Sequence, residues 1–323
     1  MKNRLKFLCI LFFLVIPLLL TAPDIPLVVS AWQQVATTEA AIETVVHSKP
    51  KTTNGSKVDQ VVVKHPFPFQ VGESLTFEFK FSRFPIYGTI GQLNMNVVPV
   101  ENLTSEVKKD DPSPIPASKS SEQETRFGLQ ALAESKGFIP ALFGLKVRDT
   151  FTSVVDLTDF SSLYMRKDID EGKKHKKQVS LFHREKPEIH FSETDLSVAN
   201  AQAAARTIEG VPWTTDLLSF WYMLRMQPFK EGETIPMVLY DDGKIFNVDV
   251  VVGKSEKISV EAGKYTARKL TIKAHEAQFI RRKGEYLIWI SEDKNRLPVK
   301  VRFRTSNGTL TAELVKKNIP SLK

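Results

Sequence analysis

The sequence predicts a mainly β fold: a large curved antiparallel sheet or incomplete barrel, with one buried helix across its concave face. Three observations predict it. Short runs of alternating apolar and polar residues recur along the chain, separated by turn residues. Only one stretch carries a strong helical pattern, and it is apolar around most of its circumference. Residues 284–317 read as a three-stranded meander, in which Leu297, Val299, Val301 and Phe303 alternate with Pro298, Lys300, Arg302 and Arg304. Beyond the Asn307-Gly308 hairpin signal, Leu310, Ala312 and Leu314 alternate with Thr311 and Glu313, so Glu313 can pair with the cationic row. About eleven or twelve short strands are expected, with no internal repeat.

The N-terminus has a separate logic. Lys2, Arg4 and Lys6 precede the apolar run 7–20, a basic region followed by a stretch too short for a comfortable bilayer span. This predicts a Sec-type signal peptide over residues 1–31, with Ala31 the favoured cleavage point, Ala22 the fallback, and an uncleaved anchor the competing expectation. The only cysteine, Cys9, follows Leu8 where a lipoprotein signal needs a small residue, so lipidation is not expected. Removing residues 1–31 would leave no cysteine, which excludes disulfides, thiolate metal sites and cysteine nucleophiles from the exported chain. Taking three Lys/Arg and Asp24 from the totals of 45 and 37 leaves 42 basic and 36 acidic residues, a net charge of +6. A modest positive charge on a periplasmic or secreted protein favours anionic lipid, lipopolysaccharide or acidic glycan over nucleic acid.

Residues 32–66 read as a linker, and 67–318 as one β-rich domain. Leu75, Phe77, Phe79 and Phe81 alternate with Thr76, Glu78, Lys80 and Ser82, a first strand whose antiparallel partner is expected over 89–98. Residues 101–124 are rich in Ser, Pro and charge, and are expected to be a disordered excursion inside a hairpin. Strands follow at 126–133, 147–157, 163–170, 177–183 and 188–191, with a short turn or single helical turn over 137–143. The cationic run 171–177 fits a hairpin tip. Residues 199–206 have helical propensity without an apolar stripe. Later strands are expected at 234–240, 244–252, 255–260 and 265–274, the first two joined by Asp241-Asp242-Gly243.

The strong helix is predicted over 214–226. Thr214 or Thr215 can cap it, Asp216 suits its positive end, and Pro228 stops it. Leu217, Phe220, Trp221 and Leu224 share one face, widened by Leu218, Tyr222 and Met223. Such a helix should pack on the terminal meander. If a hydrophobic cavity lies between them, Trp221, Leu224 and Trp289 would line it and Arg225 would meet an anionic headgroup at its rim; a filled core is the competing expectation.

No other chemistry stands out. The sequence has no G-x-G-x-x-G, no phosphate loop, no H-E-x-x-H and no G-x-S-x-G. The six histidines are scattered; His183 and His190 could face each other, with Glu185, Glu188 or Glu193 nearby, but their spacing carries no metal signature. No catalytic residue, metal or cofactor is therefore assigned.

Several segments together resemble the bacterial domain-of-unknown-function family 3108 (DUF3108). They are PFQVGESLTFEFKFSRFPIYGTIG, VRDTFTSVVDLTDFSSLYMRKDIDEG, DLLSFWYMLR, VEAGKYTARKL and WISEDKNRLPVKV, lying in order between residues 68 and 301. The resemblance implies an exported, envelope-located, mostly β protein and supplies no catalytic motif. A looser likeness runs to periplasmic lipoprotein carriers, open half-barrels with a helix on the concave face. The leading expectation is non-enzymatic binding of a lipid or other amphipathic envelope component. The alternatives are a glycan-acting enzyme using Asp156, Asp159 or Asp242, and an assembly module pairing through a sheet edge.

Overall fold

The computed structural model describes residues 67–103, 126–142, 144–184, 186–211, 213–274, 285–305 and 308–321. The expected signal peptide and linker, most of the 101–124 excursion, Glu185, Asn307 and His47, His65 and His275 lie outside them. In chain order the elements are β1 (Ser74–Arg83), β2 (Ile86–Val98), β3 (Arg126–Ser135), α1 (Phe138–Leu142), β4 (Arg148–Asp156), β5 (Ser162–Glu171), β6 (Lys174–His183), β7 (Glu188–Asp195) and β8 (Ala204–Glu209). Then follow β9 (Thr215–Asp216), α2 (Leu217–Met226), β10 (Thr234–Asp241), β11 (Lys244–Val260), β12 (Gly263–Ala274), β13 (Glu285–Ser291), β14 (Pro298–Thr305) and β15 (Gly308–Asn318).

All fifteen strands belong to one sheet, in the order β8 to β1, then β15 to β9. Each half is therefore a meander, and the first and last long strands, β1 and β15, join the halves as antiparallel neighbours. Every pairing is antiparallel except β9 with β10. This is the expected curved sheet with one helix inside its curl, and it is not hydrogen-bonded into a closed barrel.

The terminal meander forms as its alternation dictates. Leu297, Val299, Val301 and Phe303 are all buried, and Lys300 and Lys80 both donate to Glu313, at 2.7 and 3.0 Å. Asp242 and Gly243 both adopt positive φ, as a two-residue hairpin requires. The main core lies inside the curl, and a smaller cluster of Val100, Leu103, Val154, Leu163, Tyr164 and Val179 covers part of the opposite face.

Three expectations are corrected. The 244–252 and 255–260 runs form one 17-residue strand, β11, because a bulge between Val252 and Ser255 bends it without breaking its pairing with β12. Part of the Ala-rich segment is the edge strand β8, where β-branched Thr207 and Ile208 pair with His190 and Ile189 of β7; pairing overrides weak helical propensity where no apolar stripe can be buried. Among the described residues fifteen strands form, where eleven or twelve are expected.

The two wings also meet without a ladder. The Ser162 amide donates to the Thr214 carbonyl at 3.1 Å. The Ser180 and Tyr240 hydroxyls lie 2.8 Å apart, and Phe182 meets the Tyr240 ring edge-on. Buried Lys167 of β5 is ion-paired with Asp241 of β10 and lies 3.1 Å from Asp242. The Arg206 side chain of β8 donates to the Asp242 carbonyl at 3.1 Å. Among the described residues this seam is closed mainly by side chains, with the Ser162–Thr214 backbone hydrogen bond beside them.

Candidate functional site: an apolar cleft beneath the inner helix

The helix over the cleft is fixed at both ends. Its N-cap is Asp216, not Thr214 or Thr215: the Asp216 carboxylate accepts from the amides of Leu218 and Ser219 at 2.8 and 3.0 Å. The other carboxylate oxygen accepts from Ser153 and Ser162, at 2.5 and 2.6 Å. Thr215 is taken up by β9, where its hydroxyl donates to the Val238 carbonyl. The cap thus also ties the helix to β4 and β5.

At the other end Arg225 is clamped. Its guanidinium donates to both Glu73 carboxylate oxygens, at 2.6 and 2.8 Å, and to the carbonyls of Pro68, Asn295 and Arg296. It stacks over Phe69 with 5.0 Å to the ring centroid. Arg225 and Glu73 are each about 1% exposed. A buried pair of this kind is stable only when the remaining donors are also satisfied, as they are here. Arg225 is consequently not at a rim, and its donors face protein groups.

Between these anchors Trp221 comes down on the inner face of the sheet. It lines a small cleft with Phe77 and Phe79 of β1, Leu93 and Met95 of β2, Pro298 and Val301 of β14, and Ala312 of β15. The register explains the grouping: Phe79, Ala312 and Val301 stand opposite one another on three neighbouring strands, and Phe77 opposes Leu93. The cavity volume is about 20 Å³, room for roughly one water molecule, and every lining side chain is apolar.

Of the four residues singled out from the sequence, Trp221 alone lines the cleft. Leu224 is fully buried in the main core. Trp289 stands opposite Lys269 and Lys300, in the same row as Glu313. The register therefore turns it to the face away from Val301 and Ala312, where its indole N–H donates to Glu256 at 2.8 Å and Arg302 lies 5.3 Å over its ring. The four β1 and β2 residues were legible only as the buried half of an alternating strand.

The carboxylates considered for catalysis are separately engaged. Asp156 and Asp159 both pair with Arg184, at 3.2 and 2.7 Å, whereas Asp242 faces Lys167. Burial opposes the charge on Lys167, but attraction to Asp241 and Asp242 outweighs it and raises its pKa. Asp149 is a different case. Burial pushes its carboxyl up to about 7; the Asp170 amide donates to Oδ1 at 2.7 Å, and Oδ2 has no hydrogen-bond partner among the described residues. The exposed His183 and His190 rings approach to 3.1 Å, yet no group of three His, Cys, Asp or Glu among the described residues is arranged to hold a metal.

A family model described as "Protein of unknown function (DUF3108)" matches residues 95–315. The chain belongs to this family. Comparison with curated proteins gives no match. Among solved structures, this DUF3108 protein is similar to a β-barrel-like protein of the domain of unknown function DUF1849 from Brucella abortus. The identity is 10%, with 78% of this chain and 99% of that one covered and a TM-score of 0.47. It is also similar to a protein from Bacteroides fragilis described as exported, with a YmcC-like fold, at 7% identity, 78% and 98% coverage and a TM-score of 0.31. A protein from Parabacteroides distasonis described as a lipoprotein matches at 10% identity, 78% and 97% coverage and a TM-score of 0.32. Among the described residues no helix is long and apolar enough to cross a membrane.

Proposed function

We propose that this protein is an exported, non-enzymatic binding protein that holds the apolar part of an amphipathic envelope molecule, such as a lipid acyl chain, between α2 and the β14-β15-β1-β2 wall. The observation that carries this reading is the cleft under Trp221, whose lining is wholly apolar. Apolar cavities stay dry and admit apolar guests, because water gains no hydrogen bonds there. At about 20 Å³ the cleft holds no acyl chain at rest. Uptake therefore takes displacement of the Trp221 indole, with Met95 as the adaptable wall. Export is supported by the basic and apolar pattern of the first 31 residues.

Native mass spectrometry of gently purified protein, with titration of a fluorescent fatty acid, tests the reading. Saturable binding that weakens when Ala312→Leu narrows the cleft is the expected result. A protein that carries no lipid and binds no probe, while remaining folded, overturns it.

A further inference from the structure

Among the described residues seven large hydrophobic side chains are exposed, and four of them gather at one end of the molecule. Phe84 and Tyr87 belong to the β1–β2 hairpin tip and are 84% and 59% exposed; Phe138 and Leu142 belong to α1 and are 77% and 62% exposed. The two elements adjoin. The Lys136 amide just before α1 donates to the Ile90 carbonyl of β2 at 3.2 Å. A Cβ built on Gly88 would lie 3.0 Å from the Ile139 side chain. Ile139 thus seats α1 against the start of β2 and leaves Phe138 and Leu142 in solvent.

The charge around this patch is one-sided. Arg83, Lys136, Lys146, Arg148 and Arg304 are all exposed at the same end. Among the described residues the nearby carboxylates are Glu134, which pairs with Arg148, and Glu285, which stands opposite Arg304 in the ladder. Among the described residues Arg83, Lys136 and Lys146 have no carboxylate partner; the Lys136 ammonium donates to the neutral Gln92 side-chain carbonyl at 2.9 Å. The adjoining β5–β6 tip is balanced, with Lys173 and Lys174 against Asp170 and Glu171. Exposed aromatic and aliphatic side chains ringed by cations match an anionic lipid surface: apolar groups enter the headgroup boundary, and lysine and arginine meet phosphates.

We propose that the β1–β2 tip and α1 form a docking surface for an anionic lipid membrane. Phe84, Tyr87, Phe138 and Leu142 insert, and Arg83, Lys136 and Lys146 supply the electrostatic attraction. The proposal does not depend on the cleft holding a ligand, since no residue of the patch lines the cleft.

The test is co-sedimentation of the exported protein with vesicles of phosphatidylglycerol and phosphatidylethanolamine, against vesicles of phosphatidylethanolamine and phosphatidylcholine. The expected result is selective binding to the anionic vesicles that weakens in salt, as the screening length falls from about 10 Å at 0.1 M to about 3 Å at 1 M. The double variant Phe84→Ser/Phe138→Ser should lose about tenfold in affinity for anionic vesicles. Lys136→Ser/Lys146→Ser should reduce both affinity and its salt dependence. Leu196→Ser, an exposed side chain in neither the patch nor the cleft, should bind vesicles as the wild type does, and the fatty-acid titration reads the cleft separately, so failure of this proposal and failure of the cleft reading are distinguishable. The same N-terminus is present throughout, so differences between folded variants read the patch alone. Equal binding to neutral and anionic vesicles overturns the proposal. So does unaltered binding by the serine variants, or a patch that drives only self-association in sedimentation velocity.

Discussion

The two halves of the sheet are joined in two ways, and the contrast is instructive. At β1 and β15 the junction is an antiparallel ladder. Backbone groups satisfy one another, so side chains need only alternate: Phe77, Phe79, Leu310 and Ala312 inward, Lys80 and Glu313 outward. At the far seam, where β9 and β10 meet β5 and β6, no ladder forms across the gap. There Lys167, Asp241, Asp216, Ser153, Ser162 and Ser180 are all buried and bonded to one another or to neighbours. Buried polar groups left unmet are costly, so a seam without backbone pairing must carry its own polar partners. The ladder tolerates surface substitution; the seam concentrates stability in few atoms.

The largest expected effect breaks the seam. Lys167→Met leaves Asp241 buried without its cation and should cost about 3–5 kcal/mol in urea unfolding. Adding Asp241→Leu should recover much of that loss, since the unpaired charge is then gone. Without such recovery, the ion pair is not what closes the seam.

Asp149 sharpens the comparison, because it is a carboxyl buried within the β4 ladder and bonded through one oxygen only. Its folded pKa stands at about 7, against 3.8 as the ordinary value. Below pH 4 both folded and unfolded forms keep the proton. As pH rises, the unfolded form ionises first, so stability falls between roughly pH 4 and 7. Asp149→Asn should abolish that fall and gain about 1–3 kcal/mol at pH 8, with little gain at pH 4. Thermal unfolding across this pH range checks it.

The smallest effect is expected on the outer face of the ladder. Burial resists ionisation of Glu313, but hydrogen bonds from Lys300 and Lys80 outweigh it and lower its pKa. Its contribution is present at neutral pH and fades as pH falls through the carboxylate range. Lys80→Ala, at a half-exposed pair, should cost less than about 1 kcal/mol, and less still in high salt.

Much of the fold was legible because the local signals agree with it. The 75–81 and 297–303 alternations, the Asp242-Gly243 turn and the apolar 217–224 run each specify an element without reference to distant residues. The edge strand β8 was not legible: its exposed, alanine-rich residues have no pattern of their own and take their form from β7. Nor was the capping role of Asp216, whose choice over Thr215 depends on serines 54 and 63 positions away.

The candidate site divides along the same line. The sequence alone determined that the helix carries a large apolar face, that Trp221 stands on it, and that β1 and β2 present an oily side. Tertiary structure decided which residues share the cleft. Trp289 and Arg225 are as suggestive in sequence as Trp221. Strand register turns Trp289 to the face of Lys300, and Glu73, 152 positions away, holds Arg225 in a buried pair. Periodicity fixes which residues of one element share a side. Only the pairing of elements distant in the chain fixes what each side faces.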